Sequence, residues 1–150
     1  MSRHRPHRPR GRANDVPRAG LDRFRSLADV FALVELMLPR PLRSQVLVIL
    51  LDDQMRGVNA AVVDEVEDDE ALVSIAELMA LAVGSGGRLI LVSVRAAGGI
   101  DARDPLRLAA TQQVCAEQGV TVHDWIVWGP HGPGLPRVMA GLPDPWESAA

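Results

Sequence analysis

The stretch Val46-Leu47-Val48-Ile49-Leu50-Leu51 decides the fold. Six consecutive apolar residues of mostly β-prone type leave no polar face, so a strand built from them must be covered on both sides. The reading predicts an α/β arrangement with this strand at the sheet centre. Asp52 to Gly57 has the polarity and the glycine of a turn, and Val58 to Val63 then reads as a second strand folded back on the first.

Upstream, Phe24, Leu27, Ala28, Phe31, Val34 and Met37 recur at helical spacing, which predicts a helix over 22–38 that stops at Pro39-Arg40-Pro41. Downstream, six of the seven residues from Asp64 to Glu70 are acidic, and they lead into Leu72, Ile75, Ala76, Met79 and Val83 on one helical face. Acids at that end complement the helix dipole. Gly84-Ser85-Gly86-Gly87 stops this helix and Leu89 to Val94 forms the next buried strand. Asp104 as N-cap and Pro105 at the first helical position open a third helix, which runs to Gln118 and stops at Gly119. Val120 to Trp128 is the last strand, followed by a turn-rich loop from Gly129 to Pro136. The expected architecture is a single α/β domain over 21–150, with its core at 45–131. Its mixed sheet has about four strands with flanking helices, and a disordered arginine-rich segment, 1–20, precedes it.

That first segment is Arg, His, Pro and Gly with almost no apolar residues, too little to offset the entropy of ordering. Charge divides a little further on, between residues 25 and 26. Residues 1–25 hold eight Arg against Asp15 and Asp22, a balance of +6, whereas residues 26–150 hold eight Arg against seventeen acids, a balance of −9. Lys and Tyr are absent, which removes Schiff-base and P-loop lysines and any tyrosine acid or nucleophile. The longest apolar runs, Val46 to Leu51 and Leu78 to Val83, are far below the roughly 20 residues that span a bilayer. No signal-peptide pattern follows the charged start. One cysteine, Cys115, suits a reducing cytoplasm.

Few residues have the spacing of a chemical site. Gly84-Ser85-Gly86-Gly87 precedes a strand, where a dinucleotide fingerprint must follow one. Ala97-Gly98-Gly99 lies between strand and helix, so its amides could hold an anion, but the sequence reads first as a plain turn. His4, His7, His123, His131 and Cys115 lack the paired spacing of zinc ligands, and the acids at 64–70 lack the glycine of a calcium loop. No metal and no cofactor is expected. Cys115 with His123 is conceivable as nucleophile and base, yet a cysteine beside Val114 in a helix also reads as a small core residue. Trp125 and Trp128 should face opposite sides of the last strand, one toward the core and one toward a surface or partner. Arg3, Arg5, Arg8, Arg10 and Arg12 form a flexible cationic arm suited to salt-dependent contact with phosphate backbones or an acidic partner.

From Val46 to about His131 the chain resembles the JAB/MPN superfamily, especially its RadC-type branch, whose α/β fold is cytidine-deaminase-like. Leu50-Leu51-Asp52 with Arg56 resembles the first hairpin, and Leu89-Ile90-Leu91-Val92 resembles the strand that leads into the metal motif. Gly119-Val120-Thr121-Val122-His123-Asp124-Trp125-Ile126-Val127-Trp128-Gly129 is similar to the family's closing strand. Where the family carries His-x-His-Pro, this chain has Ser93-Val94-Arg95-Ala96, and its later Asp corresponds to Asp104 only with a shift in spacing. The resemblance implies a degenerate member with Ser93 and Arg95 at the metal positions and without hydrolase activity. The Leu51-Asp52-Asp53 hairpin and the His131-Gly132 loop also resemble those of proteins from actinobacteria.

Three readings follow. The first is a non-catalytic binding or scaffold module that associates with nucleic acid or an acidic partner through its arm. The second is a hydrolase of unfamiliar design, for which Cys115, His123, Asp124 and His131 must converge within about 10 Å. The third is a dimerisation domain that pairs through the Trp-bearing strand and the first helix.

Overall fold

The strand β1, Gln45–Leu51, is buried along its whole length, and its side chains divide strictly between two layers. Val46, Val48 and Leu50 enter one core with Leu72, Ala76 and Ala80, while Leu47, Ile49 and Leu51 enter the other with Val30 and Val34. Period-two alternation of purely apolar residues therefore fixes a three-layer α/β/α arrangement. These features come from a computed structural model that describes residues 16–66, 68 and 70–146.

In chain order the elements are α1 (Leu27–Met37), β1, β2 (Gly57–Asp64), α2 (Ala71–Val83), β3 (Arg88–Val94), α3 (Asp104–Glu117), β4 (Thr121–Gly129), β5 (Gly132–Gly134) and α4 (Pro136–Met139). The sheet order is β2-β1-β3-β4-β5. β1 runs antiparallel to β2 and to β3, whereas β3 and β4 are parallel, so the sheet is mixed as expected. β3 rather than β1 takes the middle position, because the parallel crossover through α3 adds β4 beyond it. Helices α2 and α3 cover one face and α1 covers the other.

Four differences from the sequence reading have physical causes. The first helix begins at Leu27, not Asp22, because the Phe24 amide donates to the Met55 carbonyl at 2.8 Å and the Phe24 ring is buried against the hairpin side. A fifth strand, β5, forms within the expected loop 129–136 through its pairing with Val127–Gly129, and a short helix, α4, begins where that loop ends. Asp104 does not cap its own helix, since its carboxylate is taken by Arg95, Arg107 and the Asp101 amide. Residues 16–20 are placed, and the Gly20 amide donates to the Gly57 carbonyl at 2.7 Å. The rest of the expected tail, 1–15, lies outside the described residues, and with it Arg3, Arg5, Arg8, Arg10, Arg12, His4 and His7. No helix among the described residues is long and apolar enough to cross a membrane.

Candidate functional site

β3 and β4 are parallel, so the edge beyond their carboxyl ends is where an open α/β sheet offers a crevice. Ser93, Arg95 and the 95–104 connection lie there. Ser93 is buried and its Oγ accepts a hydrogen bond from Trp125 Nε1 at 3.0 Å. Arg95 continues β3 for one residue, its amide donating to the Trp128 carbonyl, and its guanidinium turns toward α3. There Nη1 and Nη2 donate to the two oxygens of Asp104, each at 2.8 Å, and Nη1 also donates to the Gly99 carbonyl at 2.7 Å. Arg107 reaches the same carboxylate at 2.9 Å and also pairs with Asp101 and Glu70.

The electrostatics make this cluster static. Burial by itself would raise the Asp104 carboxyl, but hydrogen bonds from Arg95, the Asp101 amide and Arg107 outweigh it and hold the group below the usual carboxylate range. A carboxylate held ionised between two guanidiniums has no proton to exchange near neutrality. A cleft of about 140 Å³ adjoins the cluster, lined by Gln45, Val46, Leu72, Ser93, Arg95 and Ala97. The Gly98-Gly99 turn points its Gly99 carbonyl at Arg95, and a Cβ on Gly129 would run into the Gly98 carbonyl oxygen. The turn thus serves close packing against β4.

A second polar cluster sits at the other end of β4. The pairing with β3 skips one residue, Leu89 facing Val122 and Ile90 facing Asp124, so His123 is inserted as a bulge. Asp124 is buried and accepts hydrogen bonds from Arg137 Nε at 3.1 Å and Trp146 Nε1 at 2.9 Å. His123 packs edge-on against the Trp146 ring at 4.3 Å, and its Nε2 is buried without a hydrogen-bond partner. Burial, reinforced by Arg88, lowers its pKa below the ordinary 6.5 and favours the neutral ring. Arg88, Gln112, Thr121, His123, Arg137 and Pro143 line an open cleft of about 340 Å³ here.

The four hydrolase candidates do not form one site. His123 and Asp124 are neighbours. Cys115 is fully buried between α2 and α3, its Sγ 3.7 Å from the Ala76 carbonyl, and burial pushes its thiol up to about 11. His131 is exposed in the β4–β5 turn, roughly 20 Å from His123 at strand rise. Trp125 and Trp128 do face opposite layers, but both are buried, because helices cover both faces, and Phe31 stacks edge-on against Trp128 at 5.4 Å. Neither offers a surface to a partner. Among the described residues no three His, Cys, Asp or Glu side chains converge to hold a metal ion.

The sequence reading missed Arg137 and Trp146. The available signal was Asp124 itself, an acid inside the apolar run Val122 to Trp128, which demands a buried cation or donor. Compared with models of known protein families the chain matches none, and compared with curated proteins it likewise matches none.

Proposed function

We propose that this chain is a non-catalytic binding module, a degenerate JAB/MPN-like domain whose arginine-rich N-terminal arm associates with nucleic acid. One observation carries the non-catalytic half: the Arg95–Asp104 pair at the end of β3. A guanidinium at the position where the resemblance calls for a metal ligand supplies a fixed positive charge in place of a cation. The hairpin, helix, strand, helix, strand order that underlies the resemblance is the order of the fold. Cys115, His123 and His131, scattered as described, supply no nucleophile and base pair to replace it.

The binding half rests on charge. The arm, 1–20, holds six Arg against Asp15, a balance of +5, and the domain, 21–150, holds ten Arg against eighteen acids, a balance of −8; the domain repels phosphate, so contact is confined to the arm. A single buried thiol is compatible with a reducing, cytoplasmic setting. The test titrates labelled duplex DNA and single-stranded RNA with the full-length protein across a salt series. The same titration is run on a variant in which Arg3, Arg5, Arg8, Arg10 and Arg12 are replaced by Gln. The expected result is salt-sensitive binding, with a slope on duplex DNA that flattens by about 0.9 for each phosphate the variant no longer neutralises. No binding, or binding indifferent to the five substitutions, overturns the reading and turns attention to an acidic protein partner. Metal-dependent hydrolysis by the purified protein overturns its non-catalytic half.

A further inference from the structure

β2 forms one margin of the sheet and reads Gly-Val-Asn-Ala-Ala-Val-Val-Asp, with no Lys, Arg or Pro. Its side chains are unusually bare for such a composition, Val58 being 60% and Val62 43% exposed. The outer edge is occupied only at its start, where Gly20 bonds to Gly57 and Arg23 bridges to Arg56. Beyond that point no described backbone group pairs with it. The Ala60 amide is satisfied by the neighbouring Asn59 Oδ1 at 2.8 Å, so Ala60 faces outward, and at period two Val62 and Asp64 do the same. Exposed apolar edges without Lys, Arg or Pro along their length are templates for strand addition.

We propose that β2 pairs antiparallel, about a two-fold axis, with β2 of a second copy of this chain, joining two five-stranded sheets into one. Two features select a second copy as the occupant. Antiparallel self-pairing sets outward Ala60 of each copy opposite outward Val62 of the other, with Ala61 on the axis. Charge is the second feature: Arg23 and Arg25 lie at the start of β2, where Arg18 is already paired with Asp22, and Asp64 closes the strand with Glu65 and Asp68 beyond it. The two-fold axis lays the basic end of each copy against the acidic end of the other, so the same complementarity occurs twice. This surface does not involve Arg3, Arg5, Arg8, Arg10 or Arg12, and its test does not depend on nucleic acid.

Sedimentation equilibrium of the full-length protein at sub-millimolar concentration is expected to show a dimer that weakens as salt rises. Val62→Lys, which places a charge on the exposed edge, is expected to give a monomer with the wild-type circular dichroism spectrum. Ala61→Cys is expected to form a disulfide-linked dimer on oxidation, because a pair on the axis lies within disulfide reach, whereas Leu78→Cys on the exposed side of α2 is expected to stay unlinked. Buried Cys115 does not compete. A wild-type protein that stays monomeric over that range overturns the proposal. So does a dimer that Val62→Lys leaves intact and Ala61→Cys fails to link. Should Val62→Lys disturb folding, the Ala61→Cys result decides alone: linked supports the edge pairing, unlinked overturns it.

Discussion

Arg95, one residue past β3, grips both carboxylate oxygens of Asp104 at the first position of α3, each at 2.8 Å. The Asp104 side chain is wholly buried and that of Arg95 nearly so. The pair therefore joins the exit of the central strand to the entry of the crossover helix, at the cost of desolvating two charges. Removing one partner leaves the other charge buried, which is the expensive case.

Arg95→Met is accordingly expected to destabilise the protein by about 2–4 kcal/mol, with Arg107 limiting the loss. Arg95→Lys should recover only part of it, because an ammonium does not reproduce the planar two-pronged contact. Urea denaturation monitored by tryptophan fluorescence measures both. Equal stability of wild type and Arg95→Met contradicts a structural role for the pair.

The pH dependence should show two separate declines. His123 titrates below its ordinary 6.5 in the fold, so the stability linked to its neutral form is present above 6.5 and lost as pH falls from there toward the folded value. Asp104 is held below its ordinary 3.8, so its contribution is present above 3.8 and lost as pH falls through the lower folded value. His123→Phe, which keeps a ring against Trp146 and removes the unpartnered Nε2, should abolish the first decline and leave the second. Thermal melts from pH 8 to pH 3 test this, and an unchanged profile in His123→Phe contradicts it.

Gly129→Ala should be destabilising despite the small change, by about 2–3 kcal/mol as for overpacking. The added methyl meets the Gly98 carbonyl oxygen and the Gly99 backbone, which must shift to make room. A melting temperature within a degree or two of wild type would show that the contact relaxes.

Cys115 should be inert in the folded protein. Its burial and its raised thiol pKa, about 11, leave almost no thiolate at neutral pH. Reaction with a colorimetric thiol reagent is expected only after denaturant is added, and stoichiometric labelling under native conditions would reopen the case for a reactive thiol.

Much of the architecture is legible in the sequence because it is written in periodicity. β1, β3 and β4 are apolar runs, and their observed bounds lie within a residue or two of those runs. α2 carries helical spacing up to its glycine stop, and α3 is marked by Asp104-Pro105 at its start and Gly119 after its end; both form where those signals place them. β5 is not legible because Gly132-Pro133-Gly134 has no strand preference of its own, and its conformation is imposed by Val127–Gly129. Phe24 misleads for the opposite reason, fitting a helical period while its burial is achieved from an extended segment. Arg95, Asp104 and Asp124 can be singled out, but neither the Arg95–Asp104 pairing nor Arg137 as the partner of Asp124 can. Arg137 lies thirteen residues from Asp124, and only the bulge at His123 and the fold of α4 bring them together.

Whether the end of β3 is a structural ion pair or a metal centre is open to direct measurement. Full-length wild type and Asp104→Asn would be dialysed to equilibrium against zinc and their metal content compared. The account expects no difference, since Arg95 already holds Asp104 and any zinc retained by His4 and His7 would be common to both proteins. A stoichiometric zinc in the wild type that is lost in Asp104→Asn would contradict it.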